Sequence, residues 1–123
     1  MSEHDEQVAL FQLLALHEAC YPLLKWVFAI PNGGKRHPAV AVKMKAEGVK
    51  AGAWDIFVPV PIDDKCGLWI EMKYGKNGLT ENQEAFREGV GEAYAWAVCT
   101  SAEQAAQVIG EYLGIEALKE IET

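Results

Sequence analysis

Cysteine is scarce in this sequence, and long uninterrupted apolar runs are missing. The three cysteines among 123 residues, Cys20, Cys66 and Cys99, are far apart and odd in number. This argues against a disulfide framework and against a zinc site, and it favours a reducing compartment. No apolar stretch reaches the roughly 18 residues that a membrane span needs. The first residues are acidic, unlike the basic start of a signal peptide. We therefore expect a cytoplasmic protein with no membrane partner.

Basic residues are also few. Eleven Lys and Arg stand against 18 Asp and Glu, so the net charge is −7 and the isoelectric point is about 4.9. This balance disfavours a protein that coats nucleic acid. The charge is uneven, however: residues 1–34 sum to −3, residues 35–76 to +3 and residues 77–123 to −7. The middle third is a local basic zone, although lysines scattered over a solvated surface would give the same sum.

The remaining composition is that of a globular chain. Half of the residues are hydrophobic and 24% are charged, and neither a repeat nor a linker interrupts the sequence, so we expect one domain over residues 1–123. Hydrophobic periodicity, capping residues and glycine-marked turns predict the elements. Helices are predicted at 3–19, 38–47, 80–94, 102–113 and 115–121, and strands at 25–30, 56–60, 68–73 and 95–99. This order predicts a small mixed sheet flanked by helices, in the α/β or α+β class.

The strand predicted at 68–73 carries charges in an unusual place. Side chains alternate between the two faces of a strand, so Glu71 and Lys73 share one face with Trp69. Charged groups on a central strand need partners or a function. The alternative is an ordinary surface pair on an exposed sheet face.

Asp55 brings a second carboxylate to the same place. It begins the preceding predicted strand, and antiparallel pairing would set it near Glu71. Two converging carboxylates repel unless a cation joins them, and oxygen ligands suit Mg²⁺ or Mn²⁺. Lys73 could then orient or deprotonate a water, or stabilise charge on a phosphate. Such an arrangement is typical of metal-dependent phosphodiester cleavage.

Asp55 followed by Glu71-Met72-Lys73 resembles the PD-(D/E)xK nuclease motif. The surrounding blocks resemble one branch of it, the stand-alone VRR-NUC (virus-type replication-repair nuclease) domains. The blocks that carry the resemblance are Glu3 with Gln7, residues 30–36, residues 45–52, residues 68–73 and residues 79–83. One departure is visible, because Trp54 stands where the family usually has proline.

The resemblance implies a restriction-endonuclease-like α/β core and a homodimer. It also implies a Mg²⁺- or Mn²⁺-dependent endodeoxyribonuclease that is selective for branched DNA, such as Holliday junctions or flaps. Asp55, Glu71 and Glu3 would bind the metal through their side chains and Met72 through its backbone carbonyl. Lys73 would be the catalytic lysine, and Gln83 would contact that lysine or the DNA. Candidate phosphate contacts lie in the basic zone: Lys35, Arg36, Lys43, Lys45, Lys50 and Lys76.

Several alternatives stay open at this stage. Glu6 is a rival to Glu3, and both could simply complement the dipole of the first helix. Gln83 could serve only as the partner of Thr80 in a capping box. For the whole chain, the rival hypotheses are a non-catalytic DNA-binding or assembly module on the same fold and an unrelated α/β protein in which the motif is coincidental.

Overall fold

The computed structural model describes residues 2–31 and 37–122. The elements alternate along the chain much as the hydrophobic pattern predicts. The helices are α1 (Glu3–His17), a 3₁₀ helix (Pro22–Trp26), α2 (Pro38–Ala46), α3 (Glu81–Val90), α4 (Ala102–Leu113) and α5 (Glu116–Lys119). The strands are β1 (Phe28–Ala29), β2 (Ile56–Val58), β3 (Leu68–Met72) and β4 (Ala95–Cys99).

The four strands form one mixed sheet in the order β1-β2-β3-β4. β1 and β2 pair antiparallel, as do β2 and β3, whereas β3 and β4 pair parallel. A parallel pair needs a crossover connection, and α3 supplies it. β3 is therefore paired on both sides. The prediction of a small mixed α/β sheet with flanking helices is confirmed.

One face of the sheet builds the hydrophobic core. Alternate residues of β2 and β3 point to it and are almost completely buried, and they pack against Leu10 of α1 and Ile109 of α4. These inward residues are Ile56, Val58, Leu68, Ile70 and Met72. Because strand side chains alternate, the same strands send their other residues to the opposite face.

The opposite face carries a layer of aromatic rings. Phe57 stacks on Trp69 with centroids 4.4 Å apart, and Trp69 lies 6.1 Å from Trp96. Phe86 of α3 meets Trp69 edge-on at 5.1 Å. Trp69 and Trp96 thus pack against other rings on this face of the sheet. Glu71 belongs to this face and lies beyond the aromatic layer.

The strand predicted at 25–30 is largely wrong. Residues 22–26 form a 3₁₀ helix, and the strand is reduced to Phe28 and Ala29. Pro22 fixes the first position of that helix, and the Leu24 N–H donates to the Tyr21 carbonyl, so the chain turns before it can pair. Trp26, which the sequence placed within a strand, is 58% exposed.

The third helix is shorter than predicted. It ends at Val90 rather than near Tyr94, because Gly91 takes a φ of 89° and its N–H donates to the Arg87 carbonyl. The chain then enters β4 at Ala95, as predicted. Within the two described ranges, no helix has the length and apolar character to cross a membrane.

Candidate active site

The pairing of β2 with β3 brings Asp55 to Glu71. Ile56 is opposite Ile70, so Asp55, one residue before β2, comes level with Glu71. The Asp55 N–H donates to Glu71 Oε1 at 3.2 Å, and the Met72 N–H donates to Asp55 Oδ2 at 3.0 Å. Each carboxylate is thus oriented by the backbone of the other strand. Both point to the same space, as the antiparallel pairing predicted.

A third carboxylate arrives from the first helix. Carboxylate oxygens of Glu3, Asp55 and Glu71 all lie within 4.8 Å of one another. Glu3 is the first residue of α1, whose N-cap Ser2 accepts a hydrogen bond from the Asp5 N–H. Three oxygen donors at this separation fit a hard divalent cation such as Mg²⁺ or Mn²⁺.

Glu6 has a different role. Its Oε1 accepts a hydrogen bond from the Ala102 N–H at 3.0 Å, at the first residue of α4. A carboxylate at that position satisfies a free N–H of the helix and interacts favourably with its dipole. Of the two rivals, the structure therefore places Glu3 beside Asp55 and Glu71.

The charges of the site are buried. Glu71 is only 2% exposed and Lys73 only 7%, so the alternative of an exposed surface pair is wrong. Burial raises the pKa of Glu71 to about 7, and the neighbouring Asp55 carboxylate acts in the same direction. Burial also raises the pKa of Asp55. A group of carboxylates that resists ionisation in this way is one that a cation would stabilise.

Lys73 follows β3 directly. The side-chain Nζ lies 3.6 Å from Glu71 Oε2, and the backbone N–H donates to the Cys99 carbonyl at 2.8 Å. The backbone at Lys73 thus extends the parallel ladder between β3 and β4. Met72, between the two charged residues, is completely buried. The use of its backbone carbonyl as a metal ligand stays a prediction.

Gln83 has two roles in the structure. It completes the capping box of α3: its N–H donates to Thr80 Oγ1, and its Oε1 accepts from the Thr80 N–H. Its Nε2 also donates to Glu71 Oε2 at 2.8 Å. The predicted capping box is present, and the side chain that Gln83 contacts in the site is Glu71 rather than Lys73.

Trp54 is the residue near the site that sequence reasoning missed. Its side chain is fully buried, and its indole N–H donates to the Gln83 carbonyl at 3.0 Å. A large aromatic residue inside a glycine-marked loop, next to a candidate metal ligand, was the available signal. In the sequence, Trp54 stands out only because VRR-NUC domains usually have proline at this position.

The basic candidates lie at the surface where the structure describes them. Lys43 and Lys45 occupy the last turn of α2, a helix with no buried residue, and Lys50 and Lys76 are exposed as well. Lys35 and Arg36 lie outside the described residues. The structure thus leaves these four lysines accessible to a ligand without assigning one.

A solved structure described as a "VRR_NUC domain protein" has the same fold. It matches with a TM-score of 0.73 over 93% of this chain and 89% of its own, at 24% sequence identity. At this identity the likeness establishes the fold, and it confirms the predicted VRR-NUC-like architecture. No protein-family model matches the sequence, and no curated protein matches it.

Proposed function

We propose that this protein is a Mg²⁺- or Mn²⁺-dependent endodeoxyribonuclease. The observation that carries the proposal is the convergence of Glu3, Asp55 and Glu71 oxygens within 4.8 Å, with Lys73 Nζ 3.6 Å from Glu71. The likeness of the fold to a VRR_NUC domain supports it. Carboxylates from three separate elements, beside a buried lysine, suit phosphodiester hydrolysis better than a purely structural role.

The carboxylates would hold the metal, and Met72 would add its carbonyl oxygen. When bound, a divalent ion polarises a phosphoryl oxygen and makes a nearby water more acidic. Asp55 and Glu71 are fixed by backbone hydrogen bonds before any ligand arrives, so little reorganisation is required. This rigidity is the protein's own contribution to catalysis.

Lys73 would act on the reacting groups. In hydrolysis the water oxygen bonds to phosphorus, the bond to one sugar oxygen breaks, and that oxygen gains a proton. Lys73 is placed beside Glu71 so that its ammonium can stabilise the negative charge that builds on the phosphate. Gln83 holds Glu71 from the side opposite the backbone of Asp55.

A cleavage assay tests this function directly. Labelled duplex, flap and four-way junction DNA are incubated with the protein in Mg²⁺, Mn²⁺ or EDTA. We expect cleavage with either metal, none in EDTA, and a preference for the branched substrates. If the protein is a two-fold dimer, as the family resemblance implies, the junction should be cut on two opposing strands. Absence of cleavage on every substrate in both metals would contradict the proposal.

The second candidate is a DNA-binding or assembly module without catalytic activity. Such a module would bind the same substrates and leave them intact. Against it stand the three intact charges at Asp55, Glu71 and Lys73. Keeping Glu71 and Lys73 buried costs stability, and a protein that only binds DNA gains nothing from this cost.

We expect DNA binding to depend on a local basic surface rather than on net charge. Lys43→Glu and Lys45→Glu, each made singly, should weaken binding several-fold without changing metal affinity, because each removes a phosphate contact and adds repulsion. Lys119→Glu changes the charge equally, but it lies in the acidic C-terminal third and pairs with Glu116. It should therefore have little effect.

Binding isotherms at several salt concentrations measure this difference. With about four phosphate contacts per protomer, log K should fall with log salt at a slope of roughly −0.9 per contact. Each of the two α2 variants should reduce the magnitude of that slope by about 0.9, the contribution of one phosphate contact. Equal losses from Lys45→Glu and Lys119→Glu would show that overall charge governs binding.

A further inference from the structure

We propose that Trp54 is a positioning residue that holds Glu71 ready for the metal. It does so by fixing the N-terminus of α3, which carries Gln83, against the loop that precedes β2. This inference rests on the proposed metal site. Trp54 stands at the position where this chain differs from the proline that is usual in VRR-NUC domains.

The first contact is the indole hydrogen bond. Trp54 is completely buried, its Nε1–H donates to the Gln83 carbonyl at 3.0 Å, and its ring meets Trp96 edge-on at 4.9 Å. Proline at this position could neither donate such a bond nor fill the space of an indole. The loop and the helix are therefore joined through a side chain that this sequence supplies itself.

The second contact is a close approach of two backbones. Gly52 has a φ of +93°, and a Cβ built on it would lie 2.4 Å from the carbonyl oxygen of Asn82. Only glycine permits both the conformation and the approach. Gly52 and Trp54 thus touch consecutive residues, Asn82 and Gln83, so the loop fixes the first turn of α3 at two points.

The position of that turn is transmitted to Glu71 by one side chain. The Gln83 side chain is held by the Thr80 N–H at Oε1, which leaves Nε2 to donate to Glu71 Oε2 at 2.8 Å. The other Glu71 oxygen accepts from the Asp55 N–H. A shift of α3 would release one of the two bonds that orient this carboxylate. Bonds that orient a metal ligand strongly affect metal affinity.

Trp96 provides a matched control at the other end of the same helix. Its indole N–H donates to the Gly91 carbonyl at 2.9 Å, and its ring belongs to the same aromatic layer. Trp96→Phe removes an equivalent hydrogen bond from α3. No hydrogen bond among the described residues connects Gly91 to Glu71. Phenylalanine keeps an aromatic ring at the edge contact with Trp54, so this variant removes the indole N–H while largely retaining the ring packing.

Direct titration with Mn²⁺ tests the proposal without relying on cleavage. Calorimetry gives the dissociation constant of Mn²⁺ for the wild type, Trp54→Phe, Trp96→Phe, Gln83→Ala and the double variant Trp54→Phe/Gln83→Ala. We expect Gln83→Ala to weaken binding about tenfold, and Trp54→Phe, which acts one step further away, about threefold. Trp96→Phe should bind as the wild type does. The double variant should bind no more weakly than Gln83→Ala alone.

Each other outcome has a defined meaning. Equal weakening of Mn²⁺ binding by Trp54→Phe and Trp96→Phe would overturn the proposal. Weaker Mn²⁺ binding by the double variant than by Gln83→Ala alone would also overturn it, because Trp54 would then act through the adjacent Asp55. A wild type that binds no Mn²⁺ would overturn the metal site itself and the role of Trp54 with it. If Trp54→Phe does not fold, Gly52→Ala replaces it, because its Cβ would push the same turn of α3 away. Unchanged Mn²⁺ affinity in folded Gly52→Ala would also refute the proposal.

Discussion

Replacing Lys73 with alanine should reduce the rate of DNA cleavage by about a hundredfold to a thousandfold, which is the usual cost of removing one group that stabilises transition-state charge. Metal binding should change little, because the proposed ligands are oxygens of Glu3, Asp55, Glu71 and Met72. Single-turnover cleavage rates and Mn²⁺ calorimetry on the same preparation separate the two effects.

Two further variants make this test sharper. Lys73 is buried, and Lys73→Met keeps most of the packed aliphatic part of the side chain while removing its charge. This variant should lose as much cleavage activity as Lys73→Ala. Lys76→Ala, three residues on and exposed, should keep its cleavage rate at saturating DNA. Near-normal turnover of Lys73→Met would remove the ammonium from the mechanism.

Replacing Asp55 with asparagine should abolish Mn²⁺ binding and cleavage and also stabilise the metal-free protein. The amide oxygen can still accept the bond from the Met72 N–H, while the new NH₂ can face the carboxylates of Glu3 and Glu71. Glu71→Gln is a less suitable variant, because its NH₂ would oppose the Nε2 donor of Gln83. Asp55→Asn therefore removes a charge and a metal ligand while disturbing few hydrogen bonds.

The pH dependence of unfolding has a defined sign. The pKa of Glu71 rises from 4.5 to about 7 in the folded protein, chiefly through burial and then through Asp55. Between these values the folded state holds more protons than the unfolded state, so the metal-free protein loses stability as the pH rises from about 4.5 to 7. A bound cation needs ionised carboxylates, so the gain in stability from Mg²⁺ should grow over the same interval.

Thermal unfolding at pH 5.5 and pH 8, in Mg²⁺ or EDTA, measures this linkage. The wild type should gain several degrees from Mg²⁺ at pH 8 and much less at pH 5.5. Asp55→Asn should gain nothing at either pH and, in EDTA at pH 8, should unfold at a higher temperature than the wild type. A metal response that Asp55→Asn retains in full would place the bound ion elsewhere.

The sequence predicted much of the sheet and of the site because the relevant signals are local. Alternation along 68–72 predicts which side chains share a face, and the short connection from β2 predicts the antiparallel pairing that brings Asp55 to Glu71. The capping residues Thr80 and Ser101 correctly predicted where α3 and α4 begin. The alternation and the capping residues involve positions within a few residues of one another. The strand pairing joins residues 16 positions apart, but these lie on two segments connected by a single turn.

The features that the sequence missed depend on packing between distant segments. The bond from Glu6 to the Ala102 N–H joins residues 96 positions apart, and that from Trp54 to Gln83 joins residues 29 apart. No periodicity encodes either one. The error at residues 25–30 has another cause, because β-branched and aromatic residues there favour a strand while Pro22 and the turn after it prevent one. Local propensity yields to backbone geometry at that point.

The double pairing of β3 has a consequence for how the protein responds to heat. Glu71 lies on the strand that is hydrogen-bonded to β2 on one side and to β4 on the other, and Lys73 follows it directly, bonded to Cys99. A fluctuation that displaces these residues must open the middle of the sheet, which costs nearly the whole free energy of global unfolding. Frayed termini or surface loops can open far more cheaply without disturbing Glu71 or Lys73. On warming, the placement of Glu71 and Lys73 and the folded sheet should therefore be lost in one cooperative transition.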